Sequence, residues 1–457
     1  MATAELSRSL RPRHLTMISI GGIIGAGLFV GSSTSIAVIG PAIVVSYLIT
    51  GMLILLVMRM LGEMAMSLPN VHSFADFPRA GLGPWAGFVT GWLYWYFWMI
   101  VVPFEAIAGA NILQHYIPLS AGALGCILMA CMTAVNLMST RSYGEFEFWF
   151  SSIKVAAIIA FIVIGAAYAF GWTSPRGATF ANLTSHGGFM PHGAVSVLAG
   201  AVTVFFQLTG AEIITVAAVE SAEPARAVAQ LTSSIIVRVL TFYVGSIFFI
   251  VAIVPWNAIE VGKSPFTRAL LQMHFTWAGR VMDFIILTAV LSCLNSAFYV
   301  CSRVLFVLAG HGDAPQALIQ LNRRKVPVKS VLLCALAGVA GILADIVSPQ
   351  RVFAFLLAGA GALMVFIYMI VAMAQVRLRR TRERAGAPPP VLAMWLFPWA
   401  SYAAIAGMAA VLIAMAFTPS LTEELKVSLI SFAVVVLAYL GLRTRRRSMS
   451  DASASAE

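Results

Sequence analysis

The stretch Gly21-Gly22-Ile23-Ile24-Gly25-Ala26-Gly27-Leu28-Phe29-Val30-Gly31 decides how the chain is read. It lies inside an apolar run from about Leu15 to Gly40-Pro41, the length of a bilayer-spanning helix. Five of its eleven residues are glycine. Each costs roughly 1 kcal/mol in a helix interior relative to alanine. In lipid, two arrangements account for such a cluster. The glycines let a neighbouring helix approach closely, or the backbone unwinds and offers bare N–H and C=O groups to a ligand. A second interruption, about 185 residues later, favours unwinding.

The surrounding composition sets the class. The 457 residues are 60% hydrophobic and 10% charged, with a mean hydropathy of +0.91. No water-soluble domain hides that much apolar surface, so the chain is an all-α polytopic membrane protein. Apolar runs of spanning length fall near 15–39, 42–67, 85–112, 121–140, 148–171, 194–219, 231–256, 277–308, 328–345, 352–376, 394–417 and 424–442, about twelve spans. Ten-residue stretches of period-two alternation are missing, which excludes a membrane β-barrel. The first run is too long for the apolar core of a signal peptide and lacks a small-residue cleavage site.

The formal net charge of +11 is sorted by loop, which argues against a nucleic-acid partner. Arg8, Arg11 and Arg13 precede span 1, Arg323, Arg324, Lys325 and Lys329 lie between spans 8 and 9, and Arg377, Arg379, Arg380, Arg382 and Arg384 follow span 10. Arg443, Arg445, Arg446 and Arg447 follow span 12, whereas 31–41 and 113–122 contain no Lys or Arg. By the positive-inside rule both termini are cytoplasmic and the span count is even. The exception is 257–280, with Lys263, Arg268 and Arg280 on the expected outer side. The five cysteines all fall within expected spans, without metal-ligand spacing, and are read as small buried hydrophobes.

Charged residues inside spans are the candidates for function. Arg59 and Glu63, at the end of span 2, are read as interfacial anchors. Span 3 carries Trp92, Tyr94, Trp95, Tyr96, Phe97 and Trp98, then Glu105, either a functional carboxylate or a buried acid bonded to a neighbouring helix. Span 5 opens with Tyr143-Gly-Glu-Phe-Glu-Phe-Trp149 and places Lys154 about two turns inside the apolar run. That lysine either snorkels to the surface or faces the interior, where it can exchange protons. Span 6 holds the second interruption, Phe205-Phe206-Gln207-Leu208-Thr209-Gly210-Ala211-Glu212. Thr209 and Gly210 can unwind there, leaving Glu212 to cap the second half-helix. Span 8 carries Ser292-Cys293-Leu294-Asn295-Ser296, a polar face that packs against protein or water.

Spans 1 and 6 are interrupted at corresponding places, each the first of a set of five. Paired interruptions in two halves point to a transporter with internal repeats. Five is odd, so the second set begins on the opposite side of the membrane and the repeats are inverted. N–H groups at the first break suit a carboxylate, and freed carbonyls in both breaks suit an ammonium. A zwitterionic amino acid meets both. A membrane-embedded enzyme would need a nucleophile–base pair or a metal cluster, and neither motif is present, so no catalytic or metal-binding residues are assigned and no cofactor is expected. A channel would lack paired breaks.

These motifs also carry a family resemblance. From about Leu10 to Arg447 the chain resembles the amino acid–polyamine–organocation superfamily, and within it the bacterial amino acid permeases. The resemblance rests on Gly22-Ile-Ile-Gly25-Ala-Gly27-Leu-Phe-Val-Gly31, Gly62-Glu63-Met64, Tyr143 to Trp149, Gly210-Ala-Glu212, Asn295-Ser296 and Ser302-Arg303 with Gly312-Asp-Ala-Pro315. Trp92 to Trp98, Pro103-Phe-Glu105 and Gly188-Phe-Met-Pro191 are most similar to the 4-aminobutyrate permease branch. His72 departs from the pattern, where relatives usually have glycine.

The resemblance implies a LeuT-like fold, a five-plus-five inverted repeat with broken helices 1 and 6 and two added helices. It implies one permease domain over 1–447, with repeat one at about 12–171, repeat two at about 190–376 and helices 11–12 at about 394–442. Residues 448–457 are expected to form a disordered cytoplasmic tail. It implies that Ile23, Gly25, Ala26 and Gly27 bind the substrate carboxylate and amine, that Phe206 and Thr209 cover it, and that Gly210 keeps the break open. Lys154 matches the span 5 lysine of proton-coupled relatives. Proton symport with Lys154 and Glu105, gating at Glu212, and location in the bacterial cytoplasmic membrane follow as expectations. The partners expected are an amino acid and the lipid bilayer; oligomeric state is left open.

Overall fold

The computed structural model describes residues 10, 12–68, 71, 73–138, 140–175, 177–218, 224–348, 360 and 362–454. His72 and much of the start of span 10 lie outside them. Among the described residues, eleven helices are long and apolar enough to cross a membrane. The remaining long helix, Leu363–Arg384, belongs to the tenth span and ends in arginines.

The first span is two pieces: α1 (Pro12–Ile23), then a π turn over Gly27–Gly31 leading into α2 (Ser32–Ile39). Then come α3 (Ile43–Ser67), the short α4 (Asp76–Leu82), α5 (Pro84–Leu113), α6 (Ala121–Met138) and α7 (Thr140–Ala169). The second set repeats the order. Its broken span is α8 (Gly193–Leu208) and α9 (Ile213–Ala217), followed by α10 (Pro224–Ile253), the short α11 (Pro265–Gln272), α12 (Ala278–Gly310), α13 (Val328–Val347) and α14 (Leu363–Arg384). Two added helices, α15 (Trp399–Ala416) and α16 (Pro419–Ala454), complete the chain.

Packing follows the repeat. The helix α3 lies along α10, α5 along α12 and α6 along α13, so helices two, three and four of one set each meet their counterpart. The fifth helices, α7 and α14, lie against the broken spans α1 and α8. A short helix stands between the second and third long helices in both sets, α4 and α11, as an inverted repeat requires. Gly83 ends α4 and begins α5, with Pro84 in the first helical position, where its missing N–H is not needed.

Burial is arranged as the bilayer demands. Leu336, Val347, Ile413 and Leu437 point outward, whereas Glu63, Glu105, Glu147, Lys154, Glu212 and Arg303 are buried. Lipid accepts the apolar faces, and the interior bonds the charges.

Glu63 corrects one sequence expectation. It is buried rather than interfacial, and it accepts from Gln375 Nε2 at 3.0 Å, Arg379 Nη1 at 3.1 Å and the Met394 N–H at 2.5 Å. Arg59 donates to the Ala393 carbonyl at 2.9 Å and lies over the Trp395 ring. The pair thus fastens the segment between α14 and α15 to α3. Its position at a span end suggested the lipid interface only because the return of residues 391–397 cannot be read locally. At the same end of the bundle, Arg79 of α4 bonds Asp313 and His311 Nε2 lies 2.7 Å from Asp76 Oδ1, tying α4 to the end of α12.

Candidate functional site

The first break exposes carbonyls that a continuous helix would satisfy. The Ile24 N–H still reaches the Ile20 carbonyl at 3.1 Å, after which α-helical bonding lapses. The carbonyls of Gly21, Gly22, Ile23 and Ile24 are met by side chains from three other helices. Lys154 Nζ donates to Gly21 O at 2.6 Å, to Ile24 O at 2.7 Å and to Ser292 Oγ at 2.8 Å, using all three of its protons. Tyr243 Oη donates to Ile23 O at 2.9 Å, and Cys293 Sγ lies 3.6 Å from Gly22 O. Such bonding is what a buried, unwound backbone requires. Of the two readings open for Lys154, the structure places it in the interior, fully buried. On the N–H side, Ala26 donates to the Glu105 carboxylate, 3.2 and 3.3 Å from its two oxygens. The groups read as free for a zwitterion at the first break therefore already carry bonds within the protein.

The second break runs from Thr209 to Glu212. Gly210 has φ +125°, and a Cβ built on it would lie 3.0 Å from the Gly22 carbonyl, so the two broken spans cross here. Only glycine accepts both that backbone and that approach. Thr209 Oγ1 returns to the Phe205 carbonyl at 2.7 Å. Glu212 does not cap α9 with its side chain, contrary to the sequence expectation. Its carboxylate turns back to accept from the Gly210 N–H at 3.1 Å, and takes Tyr94 Oη at 3.1 Å and Tyr368 Oη at 2.7 Å. Two phenol donors from α5 and α14 outcompete the first-turn N–H groups. Tyr243 Oη also lies 2.9 Å from the Gln207 carbonyl, so one hydroxyl serves both breaks with a single proton.

A cavity of about 660 Å³ opens beside this crossing, lined among others by Ala26, Gly27, Phe206, Gln207, Glu260 and Lys263. It opens on the face that carries the 257–272 segment, opposite the arginine-rich ends. Phe206 forms part of its wall, with ring centroids 5.9 Å from Phe97 and 5.8 Å from Phe104. Of the expected substrate residues, Ala26, Gly27 and Phe206 line the cavity, whereas Ile23, Gly25, Thr209 and Gly210 do not. Gly25 has a different neighbour: a Cβ there would lie 2.6 Å from Glu105 Oε1 and 2.9 Å from Cys293.

Several residues of the site carry no sequence signal beyond polarity in an apolar run. Gln207 accepts from Tyr47 Oη and donates to Ser35 Oγ at 3.0 Å, beside Gly27 and Gly31. Tyr243 lies in the long helix α10 with no motif around it, and Ser292 belongs to the polar face of α12 but carries no sign of its partner. Glu147 sits at the start of span 5, where a carboxylate ordinarily meets water, yet it is fully buried.

Comparisons with known proteins bear on the family and the fold. The sequence model of the family described as "Amino acid permease" matches residues 14–445. The chain is similar to the gamma-aminobutyric acid permease of Bacillus subtilis (strain 168), 43% identical over 98% of this chain and 96% of the relative. It is 39% identical to the gamma-aminobutyric acid permease of Escherichia coli (strain K12), over 91% and 90%. It is 36% identical to the aromatic amino acid transport protein of Salmonella typhimurium (strain LT2), over 78% of each chain. In fold it is similar to a manganese transporter from Eremococcus coleocola, with a TM-score of 0.58 at 12% identity over 94% and 92% of the two chains. That likeness supports the LeuT-like fold, and the family-model match over nearly the whole sequence, with relatives 43% and 39% identical, shows that the chain belongs to the amino acid permease family.

Proposed function

We propose that the protein is a proton-coupled carrier for 4-aminobutyrate or a closely related zwitterionic amino acid, working by alternating access in the bacterial cytoplasmic membrane with both termini cytoplasmic. The observation that carries the reading is the Lys154 ammonium bonded to the Gly21 and Ile24 carbonyls behind a cavity open to one face. The two relatives named as gamma-aminobutyric acid permeases supply the substrate.

Ala26, Gly27 and Phe206 are the contact residues in this reading, and Ile23, Gly25, Thr209 and Gly210 hold the two breaks open behind them. The substrate carboxylate takes the Ala26 N–H from Glu105, which is then free to meet the amine. Glu212 with Tyr94 and Tyr368 forms the gate on the far side from the cavity. Protonated Lys154 holds α7 against the first break. Once deprotonated it loses one donor and its charge, and the break is released. The substrate leaves chemically unchanged, so the reading gives the chain no enzymatic role.

The test is uptake of labelled 4-aminobutyrate into proteoliposomes under an acid-outside gradient. Accumulation should depend on the gradient, and 4-aminobutyrate should compete better than L-phenylalanine or L-proline. Stronger competition by an α-amino acid would reassign the substrate. Lys154→Ala and Lys154→Arg should both lose gradient-driven accumulation, since arginine keeps its charge through the cycle. Normal accumulation by Lys154→Arg would remove the lysine from the coupling step.

A further inference from the structure

A second buried charge lies behind Lys154, and nothing in the reading above uses it. Glu147, Ser151 and Lys154 occupy one face of α7 at positions i, i+4 and i+7. Glu147 lies two turns nearer the helix start, on the side away from the cavity. Its side chain is fully buried. Ser292 Oγ donates to Glu147 Oε1 while accepting from Lys154 Nζ at 2.8 Å. Ser151 Oγ lies 3.1 Å from Glu147 Oε1 and 2.9 Å from the Met17 carbonyl, its one proton shared between them, and Asn295 Nδ2 lies 3.4 Å from Oε2. Asn295 is itself oriented by Asn136, whose Nδ2 donates to Asn295 Oδ1 at 2.8 Å. Gly21 completes the arrangement. A Cβ on it would lie 1.9 Å from Glu147 Oε1 and 2.2 Å from Ser151 Oγ, so the missing side chain is the space the carboxylate fills.

We propose that Glu147 is the inner proton acceptor for Lys154, reached through the Ser292 hydroxyl, and so a positioning and relay residue for the coupling ion. This rests on the proton-coupled reading. The step moves two protons along a line of three groups. A Lys154 Nζ–H bond breaks as its proton passes to Ser292 Oγ, and the Ser292 O–H proton passes to Glu147 Oε1. Ammonium and carboxylate become amine and carboxylic acid, serine is regenerated, and charge is conserved. The neutral amine holds the Gly21 and Ile24 carbonyls less strongly, because hydrogen bonds from a charged donor are about twice as strong as neutral ones. The proton rests on the side of Lys154 remote from the cavity, as inward release requires. The other titratable groups facing this line are Glu105 on α5, Tyr243 on α10 and Cys293 on α12; α1 presents carbonyls alone over Met17–Ile24.

Glu147→Gln separates relay from scaffold. A glutamine keeps the shape and still accepts from Ser292 and Ser151, but it cannot take the proton. In proteoliposomes, counterflow of labelled 4-aminobutyrate at equal pH should persist. Accumulation under an acid-outside gradient should fall by on the order of a hundredfold, the lower end of what a positioned proton-transfer group contributes. Glu147→Asp should recover part of it, and Ser292→Ala should behave as Glu147→Gln. Gradient-driven accumulation at the unmutated level in Glu147→Gln would overturn the relay while leaving proton coupling intact. Loss of counterflow in both Glu147→Gln and Ser292→Ala would assign the pair to structure and also overturn it. An unmutated protein indifferent to the gradient would overturn the proton-coupled reading, and the relay with it.

Discussion

Gly25→Ala should be far more damaging than Gly27→Ala, although the two glycines stand two residues apart in one motif. The difference follows from what each missing side chain would meet. At Gly25 a Cβ would sit 2.6 Å from Glu105 Oε1 and 2.9 Å from both Cys293 Cβ and Sγ. Glu105 is held by the Ala26 N–H, so the added methyl pushes the carboxylate off that donor. Leaving one such buried bond unmade costs about 1–3 kcal/mol, or about 5- to 150-fold in the population of the competent state. At Gly27 a Cβ would meet Gln207 Cγ at 3.4 Å, close to ordinary contact, beside an open cavity. That substitution should cost less than about 1 kcal/mol, or about fivefold. The assay is initial-rate uptake normalised to protein in the membrane, with melting in detergent as a second reading. A double-mutant cycle isolates the cause: in a Glu105→Ala background the carboxylate clash is gone and the Cys293 contact alone remains, so the further fall in melting temperature on Gly25→Ala should be smaller than in the unmutated background. Equal uptake by Gly25→Ala and Gly27→Ala, or full additivity in the cycle, would refute the argument.

Three further outcomes are expected. Tyr243→Phe removes the hydroxyl shared by the Ile23 and Gln207 carbonyls; it should destabilise the protein by about 1–2 kcal/mol, and an unchanged melting temperature would show that this hydroxyl does not hold the breaks. Glu63→Ala strips the acceptor from Arg379, Gln375 and the Met394 N–H; a loss of about 3 kcal/mol is expected in chemical or thermal unfolding, with substrate selectivity in competition assays unchanged. Glu260, in the segment lining the cavity, is held below the usual carboxylate range by its hydrogen bond and charge interaction with Lys263. A lowered value means that it keeps its charge as pH falls through the ordinary carboxylate range, so Glu260→Gln should leave the acid limb of the uptake–pH profile in place, and a shifted limb would contradict this.

The sequence carries the architecture because the bilayer enforces it. Spans are visible as composition, and the two breaks are visible because Gly25, Gly27 and Gly210 with Thr209 and Glu212 have no place in a continuous lipid-facing helix. Lys154 was conspicuous for the same reason. The partners were not legible, since each is set by packing across a long separation. Lys154 meets a carbonyl 133 residues away and Ser292 meets Glu147 145 residues away, and neither distance has a local signature. Glycine itself was readable at position 25, but its reason was not, because the space it leaves belongs to a carboxylate on α5. Glu63 and Glu147 show the limit most clearly. Both stand near span ends, where a charge ordinarily meets water, and only the folded chain reveals that α14 and α12 cover them.

The two breaks are secured by opposite chemistry, and that asymmetry bears on which one moves. The first is held mainly at its carbonyls: the Lys154 ammonium, a donor whose strength depends on its charge, takes two of them, and the neutral Tyr243 hydroxyl takes a third. The second is held at an N–H by the Glu212 carboxylate, itself bonded by the Tyr94 and Tyr368 phenols. A change in proton occupancy at Lys154 therefore weakens the grip on α1 while leaving the Glu212–Tyr94–Tyr368 triad bonded. Tyr243 then matters as the connection between them. Its one proton can go to Ile23 or to Gln207 but not fully to both, so release of α1 lets the hydroxyl commit to the second break. In the proton-coupled reading proposed above, α1 would be the element that swings when the proton leaves, with α8 and α9 the frame against which it moves.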